Sequence, residues 1–129
     1  MKYPYYIQLA ESDYFSLGSL YDTWINPQTG DIKNTFSIIT TPANPLMEKI
    51  HNLKKRMPLI LSCDDEMKWI DPALKTDQIK ELIKPFPEHK MMAYTISREA
   101  NNARLHRDYP EILKLVQYPE LVEDENLLC

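Results

Sequence analysis

Apolar residues alternate with polar ones along the first third of the chain, which is the pattern of extended strands. Aromatic and β-branched residues predict a strand over Tyr5–Leu9. Large apolar residues alternate with small or polar ones over Phe15–Trp24, which predicts a half-buried strand. After the turn signal at Asn26–Gly30, an extended pattern returns over Asp31–Thr41. The two segments and their turn therefore predict a β-hairpin.

Beyond Thr41 the apolar period becomes that of a helix. Asn44 suits an N-cap and Pro45 suits the first helical position, so a short helix carrying His51 at or near its C-terminus is predicted. Caps, acidic first turns and terminating prolines predict helices over Ser62–Ile70 with Ser62 as cap, over Thr76–Lys84, and from near Pro110. Apolar runs predict strands over Met57–Leu61 and Met91–Ser97. This mixture predicts an α+β fold, a mostly antiparallel sheet or open barrel flanked by short helices.

Composition narrows the class of partner. The 129 residues suit one domain, and a hydrophobic content of 43% with 26% charged residues is ordinary for a globular protein. The net charge of −4 gives no global attraction to nucleic acid, so an anionic partner needs a local cationic patch. No apolar stretch approaches the roughly 20 residues that cross a bilayer, and the N-terminus lacks a signal-peptide core. We expect a cytoplasmic protein that does not contact membranes.

Candidate chemistry is concentrated between residues 47 and 61. His51 has a side chain that titrates near neutral pH, although a histidine ending a short helix is more often a cap or a packed polar residue. Lys54, Lys55 and Arg56 follow it, either as a solvated loop or as a phosphate site. A second basic cluster, Ala103–Arg107, either extends that patch or is another loop.

The cysteines and tryptophans carry less chemistry. Cys63 and Cys129 make neither a disulfide framework nor a metal motif, so we expect reduced thiols, no metal and no cofactor. A Cys63–His51 hydrolase is conceivable, but the acids that follow Cys63 disfavour a thiolate, and a buried or inert thiol is the better prediction. Trp24 and Trp69 are predicted to be core residues rather than platforms for stacking bases.

Several stretches, in order, resemble one family. The run T-F-S-I-I-T-T-P-A-N-P-L-M-E-K-I-H, followed by R-M-P-L-I-L, is similar to the central signature of the SOS-response-associated peptidase (SRAP) family. The stretches G-S-L-Y-D-T-W, N-P-Q-T-G, W-I-D-P, L-I-K-P-F-P and Y-T-I-S agree in order. The resemblance covers nearly all of this chain but only the later part of the family pattern. It implies that residues 1–129 are the C-terminal portion of one SRAP-like domain.

The resemblance implies a chemistry and its residues. Members of the family use a cysteine at the mature N-terminus to form a thiazolidine crosslink with abasic sites in single-stranded DNA. His51 matches the histidine implied to move protons, and Arg56 matches an arginine implied to contact phosphate, although Leu53–Lys55 lengthen the usual spacing between them. Thr40, Thr41 and Asn44 match a loop beside the site, and Lys54 and Lys55 add DNA-binding candidates.

Two of the family's active-site elements have no counterpart in this sequence. It begins Met-Lys without the cysteine, and it contains no F-Y-E-W-like motif to supply the family's glutamate. The expectation is a protein that is inactive alone and needs a complementing N-terminal segment or a second copy, and whether it is itself an enzyme stays open. The alternative is a non-catalytic remnant that binds single-stranded DNA or a protein partner through the basic loop.

Overall fold

The computed structural model describes residues 3–50 and 54–121, which fall into two compact units. Residues 1–8 and 91–129 form one unit, and residues 9–90 form the other. The strands are β1 (Tyr5–Leu9), β2 (Ser16–Leu17), β3 (Ser19–Ile25), β4 (Ile32–Ile38), β5 (Thr40–Pro42), β6 (Arg56–Pro58), β7 (Ile60–Leu61) and β8 (Met91–Thr95). The helices are α1 (Pro45–Ile50), α2 (Cys63–Trp69) and α3 (Thr76–Leu82), with 3₁₀ turns at Glu88–Lys90, Arg98–Asn101 and Pro110–Leu113.

The α+β prediction is confirmed. Within the described ranges the strands form four two-stranded sheets, β1–β8, β2–β7, β3–β4 and β5–β6, and none closes into a barrel. The last three pairs are antiparallel. None of the helices in residues 3–50 and 54–121 is long and apolar enough to cross a membrane.

Three extended segments of the 9–90 unit exchange partners at one point, which we call the junction and define by Gly18, Ile39 and Leu59. Each of these residues interrupts a predicted strand and divides one extended segment into two short strands. The resulting pairs are β2 with β3, β4 with β5, and β6 with β7. The interruptions form a closed ring of backbone hydrogen bonds, from Gly18 N to Leu59 O (2.8 Å), Leu59 N to Ile39 O (2.8 Å) and Ile39 N to Gly18 O (3.0 Å). Every junction amide is therefore satisfied although the strands change partners there.

The junction leaves no room for a side chain at residue 18. A Cβ built on Gly18 would lie 2.4 Å from Cδ2 of Leu59, whose own side chain is 0% exposed. Met57, Ile60 and Leu61 are buried around it. The glycine thus leaves room for the Leu59 side chain in the best-packed part of this unit.

The β3–β4 hairpin extends from the junction with Ser19 opposite Ile38 and Ile25 opposite Ile32. Its turn is the predicted one, since the Asn26 side chain accepts hydrogen bonds from the amides of Gln28 (2.9 Å) and Thr29 (3.3 Å). Gly30 closes the turn with φ 76, where a Cβ would be strained. The strands are not half-buried as predicted, because nearly every hairpin residue is exposed.

The helices lie where the sequence predicts them, but their ends differ from the prediction. Ser62 occupies the N-cap of α2, yet its hydroxyl donates to the Asp65 carboxylate (2.7 Å) instead of accepting from the helix. Helix α3 ends at Leu82, two residues earlier than predicted, because the residue before Pro85 disfavours helical geometry. The helix predicted near Pro110 is a single 3₁₀ turn.

Neither tryptophan behaves as a fully buried core residue. Trp69 in α2 is half-buried, and its indole Nε1 donates to the carbonyl of Ser19 (3.1 Å). Trp24 is 46% exposed on the hairpin, with the Lys33 ammonium 6.0 Å from its ring centroid. The prediction that Trp24 lies in the core is wrong, because no described element buries its side chain.

The other unit pairs β1 with β8. Hydrogen bonds just outside the strand ends join Ile96 N to Pro4 O and Ala10 N to Lys90 O, so the two strands run in opposite directions. At the end of β8, Thr95 exchanges two hydrogen bonds with Val116. Met91, Ile96 and Ile112 are the buried apolar residues of this unit within the described ranges.

Candidate functional site

The β5–β6 ladder separates the site candidates into an inner and an outer face. Thr40 pairs with Pro58, Thr41 with Met57, and Pro42 with Arg56. Thr41 and Met57 point inward and are 2% and 1% exposed, whereas Thr40 and Arg56 are exposed on the other face. Thr40 and Arg56 are diagonal neighbours across the ladder, a separation of roughly 7–8 Å between backbones. A ligand at this surface would meet Thr40 and Arg56 before the buried Thr41.

Asn44 is a buried anchor for helix α1. Its Oδ1 accepts a hydrogen bond from Met47 N (2.9 Å), as the predicted N-cap should, and its Nδ2 donates to the carbonyl of Phe86 (2.7 Å). Its own amide donates to the sulfur of Met57 (3.4 Å). With 5% of its surface exposed, Asn44 ties the start of α1 to strand β6 and to the segment containing Phe86. These bonds give it a structural role, and a direct contact with DNA stays a prediction.

Glu88 supports the same helix start, and nothing in the sequence spacing indicated it. Its Oε2 accepts a hydrogen bond from Leu46 N (3.1 Å), 42 residues away in the chain. Asn44 and Glu88 together satisfy amides in the first turn of α1, which have no partners within the helix. Helix α1 ends at Ile50. His51 follows directly and lies outside the described residues, so its catalytic role stays a prediction.

The three cations before strand β6 and at its start are not equivalent. Lys55 pairs with Glu48 of α1 at 2.5 Å, and the hydrogen bond and charge of that carboxylate raise the pKa of Lys55 above its usual value. Its backbone has φ 48, a conformation that costs a non-glycine residue energy, and its carbonyl accepts from Ala43 N (2.9 Å). Lys54 and Arg56 are exposed and, as far as the described residues show, have no ion pair or hydrogen bond to their side chains.

Among the described residues, the outer face of β5–β6 with the preceding turn therefore offers two cations without an ion pair, Lys54 and Arg56. We call this the basic edge and define it by Thr40, Lys54 and Arg56. Arg56 presents a planar guanidinium suited to bidentate phosphate contacts, and Thr40 presents a hydroxyl. Exposed cations of this kind bind phosphate without forming a pocket, as in proteins that track a nucleic-acid backbone.

The remaining candidates lie elsewhere. Cys63 is exposed at the start of α2, so the buried alternative for this thiol is wrong, and an inert thiol stays a prediction. The second basic cluster belongs to the other unit, where Arg107 donates to the carbonyl of Ala100 (3.0 Å). No group of three or more potential metal ligands occurs in the described part of the chain. A cleft of about 190 Å³ lined by Ser62, Asp65, Lys84 and Phe86 is smaller than most ligand sites.

Comparison with known proteins gives this arrangement its context. Residues 1–103 match the model of the family described as SOS response associated peptidase (SRAP). The abasic site processing protein YoqW of Bacillus subtilis is 35% identical over 114 residues, which are 88% of this chain and 48% of YoqW. The abasic site processing protein HMCES of Gallus gallus is 32% identical over 100 residues, 76% of this chain and 28% of HMCES.

A solved structure agrees in fold. A crystal structure of a Bacteroides thetaiotaomicron protein superimposes with a TM-score of 0.80 and 39% identity, covering 89% of this chain and 49% of that one. The chain thus spans about half the length of the Bacillus relative and of the Bacteroides protein.

Proposed function

The chain belongs to the SOS response associated peptidase (SRAP) family, and on that premise we propose that it supplies the phosphate-anchoring and proton-transfer part of a centre that crosslinks abasic sites in single-stranded DNA. The observation that carries the proposal is the basic edge, where Lys54 and Arg56 are exposed and have no ion pair with any residue that the structure describes, on a protein of net charge −4. Relatives named abasic site processing proteins supply the class of substrate.

The proposed reaction joins an aldehyde to an aminothiol. The α-amine of an N-terminal cysteine adds to the aldehyde carbon of the opened abasic sugar, water leaves, and an imine forms. The thiol sulfur then adds to the imine carbon while its proton passes to the nitrogen, which closes a thiazolidine with the net release of one water. We assign to His51 the proton given to the departing hydroxyl and the proton taken from the thiol, since an imidazole titrates close to neutral pH.

The cysteine in this proposal comes from outside the residues of this chain. Cys63 starts helix α2 next to Asp64 and has no free α-amine, so it does not supply the aminothiol. We propose that residues 1–129 correspond to the C-terminal portion of one SRAP-like domain and that the remaining portion, in the same polypeptide or in another, brings the nucleophile. A second copy of the chain is the other possible complement. The proposal also includes a cytoplasmic location, which rests on the reduced cysteines expected from the sequence.

DNA binding by the basic edge is testable with the chain itself. Lys54→Gln and Arg56→Gln should each reduce affinity for a single-stranded oligonucleotide with one abasic site, and each should lower the salt slope by about 0.7. Lys55→Gln is the matched control, because Glu48 already neutralises this neighbouring cation. Fluorescence anisotropy between about 50 and 200 mM salt measures both quantities. Equal losses of DNA affinity for the variants at residues 54, 55 and 56 would contradict the assignment of DNA binding to the basic edge.

Crosslinking requires the rest of the fold, so the second experiment uses a chimera in which this chain replaces the segment of YoqW that it matches. The chimera should form a covalent adduct with the abasic oligonucleotide, seen on a denaturing gel. His51→Ala should slow adduct formation by about 10²–10⁴-fold, the range for general acid–base groups, and Lys55→Gln should not. A chimera that binds the DNA but never forms the adduct would favour the alternative of a non-catalytic binding protein.

A further inference from the structure

The β3–β4 hairpin has one apolar face that no described residue covers. Directly opposite residues of an antiparallel pair lie on the same face, so the cross-strand pairs sort the hairpin into two sides. One side, which we call the apolar face, is defined by Tyr21, Ile25, Ile32, Phe36 and Ile38, which are between 44% and 88% exposed. Between them, Thr23 Oγ1 donates to Asn34 Oδ1 (3.1 Å).

The opposite side of the hairpin carries mainly polar residues. It carries Asp22, Lys33, Thr35 and Ser37 alongside two apolar residues, Leu20 and Trp24. Lys33 lies over the Trp24 ring, and Thr35 donates to the carbonyl of Asp22 (3.1 Å). The asymmetry is that of a sheet built to bury one face and leave the other in water.

We infer that the apolar face is the docking surface for the polypeptide that carries the remaining half of the SRAP fold. A two-stranded hairpin is marginally stable in water unless another element covers an apolar face, and exposed apolar surface of this kind marks an interaction site. The chain spans 48% of YoqW and 49% of the Bacteroides protein, whose fold it shares at a TM-score of 0.80. About half of each of these relatives lies outside the matched segment, and we take that half as the cover.

A polypeptide docked on the apolar face would lie next to the candidate site. The extended segment that forms β4 continues through Ile39 into β5, so Thr40 of the basic edge follows Ile38 of the apolar face by two residues. A polypeptide that packs on Phe36 and Ile38 is thus adjacent to the surface where the proposed function needs its cysteine. In this respect the inference rests on the proposed function, whereas the docking surface itself is argued from burial and strand register.

The test compares variants in the chain alone and in the YoqW chimera, where every part of the fold is present. Tyr21→Thr with Phe36→Thr removes a directly opposite aromatic pair of the apolar face but keeps strand-favouring residues. Leu20→Thr, 61% exposed on the other side, is the matched control. The double variant should lower the Tm of the chimera by at least about 5 °C and leave the Tm of the chain alone within about 2 °C. Leu20→Thr should shift neither by more than about 2 °C.

Hydrogen exchange of the hairpin amides gives a readout that does not depend on variants. The amides of β3 and β4 should exchange at least about tenfold more slowly in the chimera than in the chain alone. Equal exchange rates, or a double variant no more damaging in the chimera than in the chain, would overturn the inference. Light scattering that shows the chain alone to be a dimer, which Tyr21→Thr with Phe36→Thr converts to a monomer, would overturn it in favour of a second copy.

Failure of the docking inference and failure of the proposed function are distinguishable. A chimera with a protected hairpin that forms no adduct on abasic DNA would contradict the function and keep the docking surface. A chimera that forms the adduct, with hairpin amides as exposed as in the chain alone, would contradict the docking surface and keep the function.

Discussion

The junction and the hairpin belong to the same extended segments, yet one is the best-buried part of its unit and the other is almost entirely exposed. At the junction, Leu59 is 0% exposed and Gly18 lies against it. A few residues away along the same segment, Tyr21 is 88% exposed. Both ends contain apolar residues at strand spacing, so the pattern does not distinguish them. The difference arises because three segments meet at the junction and only two continue into the hairpin.

The largest expected effect comes from comparing a buried leucine in the junction with an exposed leucine in the hairpin. Leu59→Ala should lower the free energy of unfolding by about 2–5 kcal/mol, because it removes fully buried methyl groups and leaves a cavity. Leu20→Ala, at a 61% exposed position in the hairpin, should change it by no more than about 0.5 kcal/mol. Urea unfolding followed by circular dichroism measures both. Similar losses for the two variants would show that the hairpin is covered in solution.

Two asparagines give the next comparison. Asn44→Ala should cost about 2–3 kcal/mol, because it removes the cap of α1 and leaves the Phe86 carbonyl without its donor. Asn34→Ala in the hairpin removes only an exposed hydrogen bond with Thr23 and should cost no more than about 0.5 kcal/mol. The same unfolding assay decides it. An Asn44→Ala variant as stable as the parent would contradict the anchoring role.

Gly18 tests whether the close approach at the junction is structural. Gly18→Ala should destabilise the chain by about 1–3 kcal/mol, because the new methyl group overlaps the Leu59 side chain. In a Leu59→Ala background the same substitution should cost less, so a double-mutant cycle should yield a coupling energy of about 0.5–3 kcal/mol. Additive losses would show that the glycine acts through backbone conformation instead of space.

The smallest expected effect is a pH dependence beside the junction. Hydrogen bonds from Lys68 and Ser62 lower the pKa of Asp65, so its ionised form favours the folded state. That contribution is present above the unfolded pKa near 4 and is lost as the pH falls through the lowered folded value. Stability should therefore differ between the parent and Asp65→Asn at pH 7, and the difference should shrink below about pH 4. Asp77→Asn, at a carboxylate 94% exposed, is the control.

Local rules predicted the elements whose geometry depends on neighbouring residues. The turn at Asn26–Gly30, the cap of α1 by Asn44 and the strand Tyr5–Leu9 are found as predicted. The turn and the cap depend on interactions within a few positions, such as an amide reaching a side chain three residues away, whereas the strand Tyr5–Leu9 also pairs with the distant β8. The prediction of a helix near Pro110 is wrong in type, since that segment forms only one 3₁₀ turn. The strands predicted as continuous are divided at Gly18, Ile39 and Leu59, and of these only the glycine is a local signal for an interruption.

The candidate site shows the same division. The sequence supplied its residue types, including the cations from Lys54 to Arg56 and His51, whose catalytic role stays a prediction from the family resemblance. Tertiary structure buried the Thr41 side chain and placed Lys55 in a salt bridge with Glu48. It also brought the Phe86 carbonyl within hydrogen-bond distance of Asn44. These features depend on strand register and on residues up to 42 positions apart, which side-chain spacing does not encode.

The sequence by itself therefore determined the positions of turns, helix caps and strand-forming segments, together with membership of the SRAP family. Tertiary structure decided which strands exchange partners, which alternating face is buried, and which cations remain available to a phosphate. The physical reason is that hydrogen bonding within a turn is settled over a few residues, whereas burial depends on how many segments converge at one place. At the apolar face of the hairpin, none of the described segments converges on the exposed side chains.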